Sequence, residues 1–124
     1  MMTFFIAEDD PLMIRLYERA FKLAGHEIVI AKDGDEALIA IAGMSVKPSV
    51  IILDVMMPKV SGFDVLQRLK QDEATKNIPV VMLTNLAGEE DKQKGLSLGA
   101  VDYMIKSDYS PEEVVKRVTG LVAY

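Results

Sequence analysis

The chain has 124 residues, the size of one ordinary domain, which excludes a two-domain enzyme carrying its own substrate domain. Half of the residues are hydrophobic and 27% are charged, the usage of a folded globular chain. The net charge of -5 sets aside direct binding to a nucleic-acid backbone, and the lack of cysteine excludes a disulfide framework, a thiolate zinc site and a cysteine nucleophile. No apolar run approaches the roughly 20 residues of a membrane span, and Met1–Ala7 lacks a basic flank and runs straight into acids. Neither anchor nor signal peptide is expected, and the cytoplasm is the expected location.

Short, dense apolar runs bounded by turn residues predict five strands buried on both faces: Phe4–Ala7, Ile28–Ala31, Val50–Leu53, Val80–Leu83 and Tyr103–Ile105. Helical spacing fills the gaps. Asp10 is expected to cap a first helix that starts at Pro11, carries Leu12, Leu16, Ala20 and Leu23 as its apolar stripe and closes at Gly25. Asp33 with Glu36, and Ser110 with Pro111 and Glu113, fit capping boxes that open two further helices. Ser61 opens another through Phe63, Leu66 and Leu69, and Glu89–Leu98 reads as a weaker helix ended by Gly99. Gly95 lies inside that helix, where it either loosens the helix or permits close packing. Strand then helix, repeated about five times, predicts an α/β fold: an open, doubly wound parallel sheet with helices on both faces, filling residues 1–124 as one domain.

In such a sheet ligands bind beyond the carboxyl ends of the strands. Those ends carry Glu8-Asp9-Asp10, Asp54, Thr84-Asn85 and Lys106-Ser107. Carboxylates converging within about 5 Å at an effective dielectric near 20 repel by about 3 kcal/mol per pair, so Glu8, Asp9 and Asp54 together call for a cation. Oxygen-only donors without His or Cys favour a hard ion, and a small open site favours Mg²⁺ over Ca²⁺. Three carboxylates, one divalent ion and the Lys106 ammonium sum to zero charge. The set is equipped for phosphoryl transfer, with the ion and ammonium stabilising phosphoryl oxygens and a carboxylate attacking phosphorus to give an acyl phosphate. Asp54, alone after the apolar run Val50–Leu53, is the expected nucleophile, and Lys106 and the Thr84 hydroxyl are the expected donors to the added oxygens.

At this point the chain resembles the receiver domains of two-component response regulators, including the single-domain chemotaxis type, over nearly its whole length. The resemblance rests on Glu8-Asp9, on Asp54 followed by Met57-Pro58 and Gly62, on Thr84, and on Gly99-Ala100 leading through Asp102-Tyr103 to Lys106. It implies a flavodoxin-like sheet of order 2-1-3-4-5 and phosphorylation of Asp54 by a histidine kinase or phosphotransfer protein. It implies Mg²⁺ held by Asp9, Asp54 and the backbone carbonyl of Met56, with Glu8 acting mostly through water. It also implies that Thr84 and Tyr103 form a switch and that an output protein reads the face of the fourth helix, fifth strand and fifth helix. Such a module catalyses only its own phosphorylation and dephosphorylation.

Three departures stand out. Ser107 follows the lysine where family members commonly carry proline, and Asn85 follows the threonine where the residue is usually very small. Met56 and Leu86, two positions beyond Asp54 and Thr84, are apolar and cannot orient an attacking water, so a long-lived phosphorylated form is expected. His26 reads as a surface residue, and the methionines, eight in all, read as core filler rather than a soft-metal box. A metal-dependent phosphohydrolase is disfavoured because Met56 stands where its acid/base carboxylate belongs, and the length leaves no room for a cap domain. Nucleotide or flavin binding is disfavoured because no glycine-rich phosphate loop follows a strand. The remaining alternative is a receiver-like adaptor that binds partners without phosphorylation.

Overall fold

The computed structural model describes residues 1–122, so the last two residues of the expected domain lie outside the described residues. Five parallel strands, β1 (Thr3–Ala7), β2 (Glu27–Ala31), β3 (Val50–Leu53), β4 (Val80–Thr84) and β5 (Asp102–Ile105), form one sheet in the order β2-β1-β3-β4-β5. Helices α1 (Pro11–Leu23), α2 (Gly34–Gly43), α3 (Gly62–Gln71), α4 (Glu89–Ser97) and α5 (Pro111–Gly120) connect and follow them. The expected topology is therefore observed.

Side chains alternate across each strand, so the sheet divides the interior into two cores. On one face Phe4, Ile6, Ile52 and Leu83 meet Tyr17 and Phe21 of α1 and Val114 and Val118 of α5. On the other Phe5, Ile51, Leu53 and Met82 meet Ile41 of α2 and Phe63, Leu66 and Leu69 of α3. Helix α4 contributes only Gly95 to the buried set, as its polar sequence dictates.

Of the expected α1 stripe only Ala20 is buried. Leu12 and Leu23 are 61% and 76% exposed, Leu16 is exposed too, and the buried face is Ile14, Tyr17, Ala20 and Phe21. Both stripes have helical spacing, and the one carrying two aromatic rings removes more apolar surface from water. The ends of α1 follow expectation: the Asp10 carboxylate accepts the Leu12 N–H at 2.9 Å, and Gly25, at φ +83°, lets its own N–H and that of His26 return to the Lys22 and Phe21 carbonyls. At α2 only half of the expected capping box forms, with Asp33 accepting from Glu36 N–H at 2.8 Å; Ser110 and Glu113 form both halves at α5.

The loop from β3 to α3 is pressed against its neighbours. A Cβ at Gly34 would lie 2.1 Å from the Val60 carbonyl oxygen, and one at Gly62 would lie 2.0 Å from that of Asp54. Bare backbone at these two positions lets the segment after Asp54 fold back tightly. Met82 and Met104 are buried as core filler, but Met56 is 62% exposed on this loop. Among the described residues no helix is long and apolar enough to cross a membrane.

Candidate functional site

Parallel strands end at a common edge, and the sheet ladder continues into the acids. Glu8 N–H donates to the Ala31 carbonyl at 2.9 Å and Asp54 N–H to the Ala7 carbonyl at 3.1 Å, so both backbones are fixed by strand pairing. Carboxylate oxygens of Glu8, Asp9 and Asp54 lie within 4.8 Å of one another. Glu8 and Asp54 are buried, 1% and 5% exposed, whereas Asp9 opens to solvent.

Lys106 crosses from the end of β5 and places its ammonium 2.6 Å from Glu8 Oε1 and 2.6 Å from Asp54 Oδ2. The second oxygen of each carboxylate accepts a backbone N–H: Glu8 Oε2 from Asp10 and Asp54 Oδ1 from Met56, both at 3.1 Å. Ser107 therefore does not prevent the lysine from reaching the acids. Glu8 binds Lys106 directly. A buried carboxylate needs a charged donor close by, and the lysine is the one that reaches it.

Burial pushes the Glu8 carboxyl above its ordinary value, more strongly than its bonds from Lys106 and Asp10 pull it down. Burial alone would lower the Lys106 ammonium, but the bonds it donates to Asp54 and Glu8 together outweigh burial and hold it above its ordinary value. A carboxyl raised in the folded state binds protons that the unfolded chain has released. The metal-free protein is thus expected to lose stability as pH rises from 4.5, the ordinary glutamate value, through the raised Glu8 value. Urea unfolding in a chelator across that range checks this: Glu8→Gln flattens the pH slope, and an unchanged slope contradicts the assignment to Glu8.

The donors fit a hard divalent cation: three carboxylates, no nitrogen or sulfur ligand, and one solvent-facing acid on the open side. Asp9, Asp54 and Glu8 are the side chains that would hold it.

Thr84 is fully buried at the end of β4, and its hydroxyl accepts the Leu86 N–H at 3.2 Å rather than bonding Asp54 or Lys106. Tyr103 is buried and its hydroxyl donates to the Leu86 carbonyl at 2.6 Å, so both residues hold the segment after β4. Burial, followed by the charges of Asp91 and Asp54, raises the Tyr103 phenol and keeps it a donor. Gly95 resolves in favour of close packing: a Cβ there would meet the Tyr103 ring at 3.0 Å. Asn85 is exposed beside this segment. His26 lies far along the fold at the start of β2, half-buried, with Nδ1 accepting the Met2 N–H at 3.1 Å. A cavity of about 550 Å³ between α1 and β2 touches none of Glu8, Asp9 and Asp54.

The family model described as response regulator receiver domain matches residues 4–119. The DNA-binding dual master transcriptional regulator RpaA of Synechocystis is 42% identical over 117 residues, covering 94% of this chain and 47% of that protein. The phosphate regulon transcriptional regulatory protein PhoB of Pseudomonas aeruginosa is 37% identical over 120 residues, covering 97% of this chain and 51% of that protein. The chain thus spans about half the length of these curated relatives, and a relative named for DNA binding leaves the expectation of no nucleic-acid partner without support. Among solved structures, a response regulator from Chloroflexus aurantiacus superimposes with a TM-score of 0.88 at 33% identity, covering 99% of this chain and 98% of that one. The Mn(2+)-bound form of response regulator Rcp1 gives 0.83 at 30%, covering 98% and 91%. The phosphorylated cyanobacterial phytochrome response regulator RcpA gives 0.84 at 31%, covering 97% and 90%. A matched family model spanning nearly the whole chain, a fold shared with these regulators and three acids gathered at one sheet edge lead to a single assignment: this chain belongs to the response regulator receiver domain family, whose members are signalling switches rather than enzymes with a separate substrate.

Proposed function

We propose that this chain is a phosphorylation-activated receiver, in which Asp54 accepts a phosphoryl group from a histidine kinase or phosphotransfer protein with Mg²⁺ bound at Glu8, Asp9 and Asp54. The observation that carries this reading is the Lys106 ammonium bridging two buried carboxylates beside a third, exposed one. Mg²⁺, when bound, neutralises charge on the phosphoryl oxygens; the Met56 carbonyl, in the loop after Asp54, is its proposed backbone ligand. Asp54 attacks phosphorus, the P–N bond of the donor phosphohistidine breaks, and the imidazole leaves with the bonding pair. The product carries about two negative charges and three acceptor oxygens in place of one carboxylate charge. Lys106 already touches Asp54 and needs only to follow the added oxygens.

Thr84 is the second donor. Turning its hydroxyl to the phosphoryl group gives up the bond from Leu86 N–H, and Tyr103 holds the same residue by its carbonyl. The two side chains thus translate the new charge into a shift of the segment leading to α4, and α4, β5 and α5 present the result to an output protein. Residues 1–124 act in this reading as one receiver, working in the cytoplasm.

Acetyl phosphate with Mg²⁺, followed by intact mass measurement, tests the reading. One added phosphoryl group, absent from Asp54→Ala and from chelator-treated protein, is expected. No adduct in Mg²⁺ overturns it and leaves the adaptor reading. The exposed Met56 thioether and apolar Leu86 offer no group to orient a water, so the acyl phosphate is expected to persist for minutes or longer. Decay within seconds, followed by mass after removal of the donor, contradicts that assignment.

A further inference from the structure

The turn that carries Lys106 has little of its own to hold it. Lys106–Asp108 form a single 3₁₀ turn, closed by one bond from Tyr109 N–H to the Lys106 carbonyl at 3.3 Å. Ser107 and Asp108 are exposed, and Ser110 already belongs to the cap of α5. Tyr109 is the anchor of this segment. Its ring packs against the core between α1 and α5, and its hydroxyl accepts from Arg117 Nη1 at 3.2 Å. The guanidinium lies 5.6 Å from the centre of that ring. Its Nε donates to Asp102 Oδ2 at 2.9 Å, while Asp102 Oδ1 accepts the Tyr103 N–H at 2.9 Å. One planar cation on α5 therefore ties the start of β5 to the turn beyond it, and Lys106 lies between the two attachment points.

We propose that Arg117 is a positioning residue for Lys106: by bridging Asp102 and Tyr109 it fixes the β5–α5 turn, and through that turn the point from which the ammonium reaches Glu8 and Asp54. The proposal rests on the phosphorylation reading only for what this placement serves. Two bonds at 2.6 Å to buried carboxylates tolerate little movement of the lysine backbone, and a displacement near 1 Å at such a site costs a large factor in rate. The bridge needs a fork that bonds in two directions, which a lysine at this position cannot supply.

Acylation of lysines by a dilute N-hydroxysuccinimide ester, read by peptide mass mapping, reports how tightly Lys106 is held without any phosphoryl chemistry. Exposed Lys22 and Lys92 serve as internal references. In both Arg117→Ala and Arg117→Lys, Lys106 is expected to react about fivefold faster relative to the references, the factor appropriate to a half-exposed ion pair. Tyr109→Phe, which removes the acceptor and keeps the ring, is expected to give a smaller rise and serves if Arg117→Ala fails to fold. Phosphorylation by acetyl phosphate is expected to slow by a similar factor. A merely structural Arg117 would raise all lysines together, and that result, or an unchanged Lys106, overturns the proposal. If Lys106 is exposed selectively in a protein that never accepts a phosphoryl group, the positioning role stands and the phosphorylation reading falls.

Discussion

Lys106→Met is expected to cost the metal-free protein about 3–5 kcal/mol of stability at neutral pH, the usual result of removing one partner from a buried ion pair. The Lys106 side chain is 10% exposed and those of Glu8 and Asp54 are 2% and 7% exposed, so solvent does little to replace the ammonium. Each carboxylate keeps one backbone N–H, which is insufficient compensation for a buried charge beside another of the same sign. The loss is expected to shrink toward acid pH, where the raised Glu8 carboxyl accepts a proton, and to shrink on adding Mg²⁺, which supplies the missing positive charge. Urea unfolding of both proteins with and without the ion checks both statements. A variant as stable as the parent in chelator would mean that the acids are not held by the lysine.

Gly62→Ala is expected to destabilise by about 3 kcal/mol or more, and to damage the site as well as the fold. The added Cβ would fall 2.0 Å from the Asp54 carbonyl oxygen and 2.8 Å from the Val55 Cα, and both are backbone atoms tied to the sheet and loop. Relief requires moving α3 away or tilting the peptide that carries Asp54, so slower phosphorylation accompanies the loss. Gly43→Ala is the control: nothing lies within 4 Å of its Cβ, and alanine there is expected to leave phosphorylation intact without loss of stability. Parallel denaturation curves and acetyl phosphate time courses separate the two positions.

The central strands β1, β3 and β4 were legible because a strand buried on both faces is written as an unbroken apolar run, whereas the edge strands β2 and β5, expected to be buried likewise, are only partly so; the helix ends were legible because Asp10, Ser61 and Ser110 must accept backbone donors that nothing else reaches. The orientation of α1 was not legible. Leu12-Leu16-Leu23 and Ile14-Tyr17-Phe21 have the same periodicity, and only packing against β1 and α5 selects the second. The meeting of Glu8, Asp9, Asp54 and Lys106 could be read because parallel strands bring their carboxyl ends together whatever lies between them. The direct Glu8–Lys106 bond depends on how far the lysine stem leans across the sheet, which spacing does not encode. Residues acting through a second side chain leave no local signal either. Lys47 donates to carbonyls at the end of α2, and Lys70 reaches the Ile78 carbonyl while its stem packs beside Gly99, and the apolar pattern marks neither contact. Arg117 belongs to the same class.

The claim on which the account depends is that Asp54, and no other acid of the cluster, becomes the acyl phosphate. Borohydride reduces an acyl phosphate to an alcohol, leaving a mark that survives digestion and can be mapped to one residue. After treatment with acetyl phosphate and Mg²⁺, the account predicts a reduced residue at position 54 alone, and none when chelator is present. Reduction at Glu8 or Asp9, or no reduced residue in protein that binds Mg²⁺, would contradict it.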